Sequence, residues 1–536
     1  MYIREKTSPR SKSTSLQVCE SYREDGKPRS KVLLTLGPKD YLLQSGQLDK
    51  LINSLTKFTG LNTDAFFKDD LLEETCRFNW GVPSLLGQLW EAFGLENFFK
   101  EQKLKVKFDL NQIVFRQMVD RFLKPRSKLS FYENQNDYLG FNEDLELHHI
   151  YRSLSSLAKL KPSLEKHLFD INRNIFNMKV DIVFFDATTI YFHSDKADDL
   201  RKFGFSKDCK FNDVQIVMGL LMDEDGRPIG FESFPGNTFD GKTLIKSLES
   251  LKQNFQIEKL ILVGDRGICS KVNLEEIKKL GYEYIVATSL KKQSREMQKE
   301  VLNEEGYESI NNSDLEDEIK YKTININEER LIATWSSKRA KKDFYDREIF
   351  IEKAKEILEE KSNLKKPGKA KYLAMEQKVK YLDEAKIIED EKWDGYYGIQ
   401  TNNLKMSQEA VYEAYHQLWK IEDCFRVLKS HLKIRPVFLW NPERIEGHLT
   451  LCFLTFVFER HMEIELRKKG IETSPAKIRV ALEKLQASIL KISNRKVFSV
   501  SPIGDEAKKI FEALDLQMPK PNQIKNQLKQ TKQYKS

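Results

Sequence analysis

Three carboxylates with two polar companions carry the chemistry this sequence can support. Tyr415, Glu422 and Lys429 are each seven residues apart in the run Tyr-His-Gln-Leu-Trp-Lys-Ile-Glu-Asp-Cys-Phe-Arg-Val-Leu-Lys. Nothing in that run breaks a helix, and Leu418, Ile421, Phe425 and Leu428 recur at three- and four-residue steps, so the spacing predicts one. Seven residues are about two turns, which sets a phenol, a carboxylate and an ammonium in one row. Such a row suits a metal-bound phosphate, the carboxylate on the cation and the other two on phosphate oxygens. A Glu and a Lys on a helix are more often only a solvated charge pattern, so the row needs partners. Two upstream aspartates supply them. Asp186 lies inside the β-branched and aromatic run from Val180 to Phe192, where a carboxylate needs explaining. Asp181, at the edge of the same run, does not. Asp265 ends the short apolar run that starts at Lys259, and Arg266 and Gly267 follow it.

Three carboxylates from separate elements have little reason to converge unless cations hold them, because unpaired buried charge is costly. Hard oxygen donors with no His or Cys cluster point to Mg²⁺ or Mn²⁺. Two such ions about 4 Å apart activate a water or a 3′-hydroxyl and stabilise the leaving oxygen. That chemistry is phosphodiester hydrolysis and strand transfer. The competing reading for each aspartate is a turn residue or helix cap at a strand end.

The elements that must position these groups follow from the pattern. After the strand bearing Asp186 come Val214–Met222, the Asp-Gly turn at Asp225-Gly226, and Ile229–Phe234, a hairpin. A helix from Thr243 to Gln253, the strand ending at Asp265, a helix from Leu274 to Leu280 and the strand Tyr284–Thr288 complete the set. Three strands, helix, strand, helix, strand is the α/β order of a ribonuclease-H-like core, in which the first and fourth strands lie side by side. The chain then divides into a small N-terminal β unit (1–40), with strands from Leu16 and from Lys31 around a turn at Glu24–Lys27, and a helical region (41–175) expected to bind DNA. The catalytic core follows (176–290 and 393–465), interrupted by a mostly β insertion (291–392). A helical C-terminal region (466–518) and a basic, disordered tail (519–536) end it. Arg121, Lys124, Arg126 and Lys128 lie in a stretch without an acid. It could seat a phosphate backbone, although a basic helix end more often serves the helix dipole. Trp335 and Trp393 offer rings for an unpaired base, against the blander reading of small-domain core.

With 89 basic and 81 acidic residues the chain of 536 carries a net charge of +8, which permits a polyanionic partner without requiring one. Six scattered cysteines form no CxxC pair, which argues against a disulfide framework or a cysteine–zinc site. No apolar run is long enough for a signal peptide or a bilayer span, so no membrane role and a cytoplasmic location are expected.

At these residues the chain resembles the DDE transposases of bacterial and archaeal insertion sequences, in the group whose glutamate lies in a Tyr-Arg-Glu-Lys signature. Tyr415, Glu422 and Lys429 fall on the signature positions, and Leu418 stands where that group has arginine. Phe-Phe-Asp186-Ala-Thr-Thr resembles the first aspartate motif and Val-Gly-Asp265-Arg-Gly the second. Phe234-Pro-Gly-Asn-Thr-Phe-Asp240 and Arg435-Pro-Val also look like this family, as does the β insertion. The resemblance implies Asp186, Asp265 and Glu422 as metal-holding catalytic acids, with Tyr415, Lys429, Arg266 and Arg426 on DNA phosphates. It implies double-stranded DNA as partner, both the element's terminal inverted repeats and the target. It also implies a homodimer on DNA, a prokaryotic nucleoid setting, cleavage at the element ends and insertion elsewhere. The rivals are a ribonuclease-H-fold nuclease that only hydrolyses and a catalytically inactive DNA-binding protein.

Overall fold

The computed structural model describes residues 1–7, 13–24, 27–59, 72–175, 178–205, 212–238, 240–268, 270–310, 317–359, 371–376, 379–492 and 495–532. It divides into two units, Met1–Arg77 with Ser488–Ser499, and Phe78–Ala487 with Val500–Ser536. In the first unit, β1 (Tyr2–Thr7), β2 (Thr14–Glu24) and β3 (Lys27–Pro38) form an antiparallel sheet with β2 in the middle. The expected turn between β2 and β3 centres on residues 25 and 26, outside the described residues. Helices α1 (Lys39–Gln44) and α2 (Gln47–Thr59) follow, then β4 (Leu72–Asn79), a strand within the stretch expected to be helical. Its Thr75 hydroxyl donates to the Ile489 carbonyl at 2.9 Å.

The second unit opens with helices α3 (Gly81–Ala92), α4 (Leu95–Glu101), α5 (Leu110–Leu123), α6 (Lys128–Glu133) and α7 (Leu147–Asn174). Helix α7 buries Ile150, Leu154, Leu157, Leu164 and Leu168 at three-, four- and seven-residue steps, the stripe that makes it amphipathic. Next come β5 (Ile182–Tyr191), β6 (Gln215–Asp223), β7 (Pro228–Pro235), α8 (Asp240–Phe255), β8 (Ile261–Gly264), α9 (Lys271–Lys279) and β9 (Glu283–Thr288). Every residue of β6 is buried, as expected for a strand covered on both faces. On one face Leu244, Leu248 and Leu251 of α8 pack with Val183, Phe185, Leu221 and Leu262. The β6–β7 turn needs Gly226, whose φ of +88° strains any residue with a Cβ.

The intervening segment contains α10 (Arg295–Leu302), β10 (Glu308–Ser309), β11 (Ile319–Ile326), β12 (Glu329–Ser336) and α11 (Ser337–Glu359). It continues through β13 (Leu373–Glu376), β14 (Val379–Leu382) and α12 (Glu384–Glu391) to β15 (Tyr396–Thr401). The main sheet has nine strands in the order β10-β11-β12-β15-β9-β8-β5-β6-β7. Only the β5–β8 and β8–β9 pairs are parallel among these neighbours. Thus the insertion is not mostly β. It carries a 23-residue helix, and β11 and β12 extend the core sheet because β12 pairs with β15 from Arg330↔Thr401 to Trp335↔Tyr396. The basic linker expected at residues 365–371 falls almost wholly outside the described residues.

Helices α13 (Gln408–His416) and α14 (Trp419–Arg426) replace the single helix expected from Tyr415 to Lys429. At the junction the bonds shorten to three-residue steps, Lys420 N to Gln417 O at 3.0 Å and Ile421 N to Leu418 O at 3.1 Å. Beyond α14 the coil widens into a π-helical turn, Val427–His431. Helix α15 (Pro442–Lys468) then crosses α7 so closely that a Cβ on Gly447 would lie 1.8 Å from the Leu154 carbonyl oxygen. After α16 (Pro475–Glu483), the region expected to be helical contains β16 (Gln486–Ile492) and β17 (Arg495–Val500), which form a sheet in the order β17-β16-β4. Ala487, Ser488 and Ile489 of β16 are all buried. Helices α17 (Asp505–Ala513) and α18 (Pro521–Gln530) end the described chain. The tail expected to be disordered is therefore helical over most of its length, because Ile524 and Leu528, four residues apart, are both buried.

Candidate active site

Parallel pairing of β5 with β8 ends with Phe185 opposite Gly264, so Asp186 and Asp265 are the next residue along each of the two neighbouring chains. The paired strands that lead to them run about 4.8 Å apart at the backbone. Asp186 is half-buried and its Oδ1 accepts the Ala187 N–H at 2.7 Å. Asp265 is exposed just past the end of β8, where its Oδ1 accepts the Gly267 N–H at 2.8 Å. Asp181 remains exposed at the strand's start. Two carboxylates so placed repel each other, an arrangement that favours a cation between them.

Glu422 stands on α14, which packs against β5 and the β6–β7 turn, where Lys420 Nζ donates to the Glu224 carbonyl and Cys424 Sγ lies 3.6 Å from Met222 Sδ. Its side chain is exposed and has no hydrogen bond or ion pair among the described residues. Neighbouring Asp423 is occupied by Arg426 and, at 3.6 Å, by Arg460. Tyr415, on α13, links the acids: burial raises its phenol above the ordinary range, and the charges of Asp265 and Glu422 push the same way against Arg339. The three acids do not close into a tight cage. Among the described residues, the one His, Cys, Asp and Glu group whose ligand atoms all lie within 4.8 Å is Glu146, His148 and His149.

Asp265, Arg266 and Tyr415 line a cleft of about 590 Å³ together with Arg339, Asp343 and Arg347 of α11. Arg339 was not singled out from the sequence, although the run Ser336–Lys342 with its four cations held the signal. It stacks over the Tyr397 ring at 4.9 Å. Tyr397 in turn shares a 2.6 Å hydrogen bond with His416 Nε2. Of the expected phosphate contacts, Arg266 is exposed beside Asp265, Lys429 is half-buried in the π-helical turn, and Arg426 is exposed but paired with Asp423. The break between α13 and α14 takes Tyr415 off the helix that carries Glu422, so the expected single row does not form. Trp393 is core, packed with Leu290, Val301, Leu331 and Ala333, and Trp335 donates its Nε1–H to the Asp394 carbonyl at 3.1 Å.

The family profile described as the transposase DDE domain matches residues 178–458, which span all three acids. The chain belongs to the DDE transposases. A second profile, the N-terminal domain of IS1634 family transposases, matches residues 3–64 and marks this transposase as one of an insertion sequence. It is therefore an enzyme that cleaves and transfers DNA, with the dependence on a divalent metal ion that the family implies. No curated protein matches it in sequence. Among solved structures the transposase is similar to a piggyBac transposase synaptic complex with hairpin DNA, at 9% identity over 87% of this chain and 84% of that one, TM-score 0.36. It is also similar to a Mos1 transposase paired-end complex with the left transposon end, at 11% identity over 38% and 72%, TM-score 0.15. No helix of the described residues is long and apolar enough to cross a membrane.

Proposed function

We propose that Asp186, Asp265 and Glu422 are the catalytic acids of this transposase, set on a ribonuclease-H-like core formed by β5 to β9. The observation that carries the reading is the place of Asp186 and Asp265 next after the Phe185–Gly264 pair of two neighbouring parallel strands, with Tyr415 in the field of both Asp265 and Glu422. The donor set fits Mg²⁺ or Mn²⁺, because it offers only carboxylate oxygens and Glu422 has no competing partner. Two such ions, when bound, supply the activation of a water or 3′-hydroxyl and the stabilisation of the leaving oxygen. The chain's own residues do the positioning. Strands β5 and β8 hold the two aspartates in place, while the tighter α13–α14 junction sets Glu422 on its own short helix. Tyr415, kept protonated by its surroundings, donates a hydrogen bond to a phosphate oxygen. Lys429, Arg266 and Arg426 neutralise neighbouring phosphates, and Arg426 exchanges Asp423 for DNA.

In this reading the helical region before β5 binds the element's terminal inverted repeats, and the protein acts as a homodimer on DNA within a prokaryotic cytoplasm. The α11 wall then faces DNA held over the acids. The test is divalent-metal-dependent cleavage and joining of DNA carrying the element's ends. Wild type should cut and join; Asp186→Ala, Asp265→Ala and Glu422→Ala should each lose both while still shifting the DNA on a gel. Variants that cut like wild type would make these acids structural. Cutting without joining would favour the hydrolytic nuclease.

A further inference from the structure

A second cleft, of about 440 Å³, lies between the α5–α6 connection and the segment Lys433–Leu439. Lys128 lines it, 7% exposed, and its ammonium has no hydrogen bond or ion pair among the described residues. Arg121, 5% exposed, lies beside it. Among the described residues its guanidinium donates only to carbonyls, those of Arg126 at 2.9 Å, Leu432 at 3.3 Å and Lys433 at 3.4 Å, and bonds to no carboxylate. Asp120, whose charge acts on Lys128, is engaged by Arg126 at 3.3 Å and by the Tyr138 hydroxyl at 3.0 Å. Burial, helped by Arg121, pushes Lys128 down to about 7. Lys433 and Phe438 are exposed at the rim. An uncompensated buried cation is costly unless an anion completes the site.

We propose that this cleft is a phosphate-binding site for the DNA backbone, separate from the carboxylate site. DNA as the source of the phosphate rests on the transposase reading above. The cleft is tied to the catalytic strand, because Val437 N donates to Tyr191 O at 3.4 Å and Phe192 bridges to Val437 just past the end of β5. Phe192 lies six residues along from Asp186, roughly 20 Å at the strand rise. That distance is about six base pairs of duplex rise, so the cleft holds DNA away from the scissile bond. Lys128 and Arg121 face the phosphate, Lys433 adds charge at the mouth, and the Phe438 ring meets a sugar or base beside it.

The test is fluorescence anisotropy of random-sequence duplex with the full chain, without divalent metal, over roughly 50–200 mM salt. Lys128→Met should weaken binding about tenfold and reduce the slope of log affinity against log salt by about one. Lys433→Gln, on the exposed rim, should act in the same direction and carries the test if the first variant fails to fold. Unchanged affinity and slope in the folded variant would overturn the proposal, as would a wild type that does not bind duplex. If inorganic phosphate raises the melting temperature of wild type but not of Lys128→Met while duplex affinity is the same in both, the site takes free phosphate and the DNA assignment falls. Cleavage of element ends is scored separately: a wild type that binds duplex but never cuts would refute the catalytic reading and leave this one standing.

Discussion

Replacing Asp186 with asparagine should make the metal-free protein more stable while abolishing its chemistry. The two aspartates follow directly on the Phe185–Gly264 pair of adjacent parallel strands, which run about 5 Å apart at the backbone. Two unit charges at that distance repel by about 3 kcal/mol at an effective dielectric constant of 20 and by about 1 kcal/mol in bulk water. Asp265 is exposed and Asp186 half-buried, so the relief on removing one charge belongs nearer the lower figure. With an unfolding unit of this size, about 1 kcal/mol shifts the melting temperature by a degree or two. Magnesium should reverse the order. Wild type gains about 2.7 kcal/mol at a metal concentration one hundred times its dissociation constant, and the asparagine variant gains much less. The assay is differential scanning calorimetry in EDTA and in magnesium, with cleavage measured in parallel. An Asp186→Asn protein that melts below wild type in EDTA and responds to magnesium as wild type does would refute the arrangement of neighbouring, metal-seeking carboxylates.

Two further outcomes follow from the same structure. Tyr415→Phe should keep DNA affinity within about twofold but slow cleavage about tenfold, since it deletes one hydrogen bond to phosphate without disturbing the half-buried ring; an unchanged single-turnover rate would remove Tyr415 from the site. Lys128 binds its proton less tightly in the folded protein than in the unfolded chain, so its penalty is complete below about pH 7 and fades as pH rises towards 10.5. Lys128→Met should therefore exceed wild type in urea stability by on the order of 4 kcal/mol at pH 6, with the gap closing by pH 10; a gap that does not move with pH would contradict the buried charge.

The strands bearing or ending at the two aspartates were legible because burial on both faces writes continuous apolar runs, as at Val183–Phe185 and Leu262–Gly264. Their neighbour relation followed from the order of strands and helices. The step between α13 and α14 was not legible, because a tightening to three-residue bonds at Gln417–Leu418 needs neither Gly nor Pro and leaves the apolar spacing nearly intact. Strand β16 was hidden because Ala487, Ile489, Leu490 and Ile492 fall at steps that fit a helix as readily as a strand, and α18 by a polar composition in which two apolar residues suffice for docking. The phosphate cleft joins residues more than 300 positions apart, such as Arg121 and Leu432, a pairing no local pattern announces. The four cations from Arg121 to Lys128 were visible, but not that Lys128 would be buried with no ion pair among the described residues.

The pairing of β12 with β15 bears on how this enzyme can be re-engineered or can diverge. The segment between β9 and β15 is not a detachable accessory, because excising it strips β15 of one neighbour and leaves Gly398, Ile399 and Thr401 on an open edge. An edge of buried-type residues recruits other chains, so a trimmed protein would be lost to aggregation before its activity could be judged. Variation is better tolerated on the solvent side of α11, where Tyr345 and Ile349 are exposed and carry no sheet hydrogen bond. Lineages of such elements would then be expected to alter that helix surface freely while keeping the length and pairing of the hairpin beneath it.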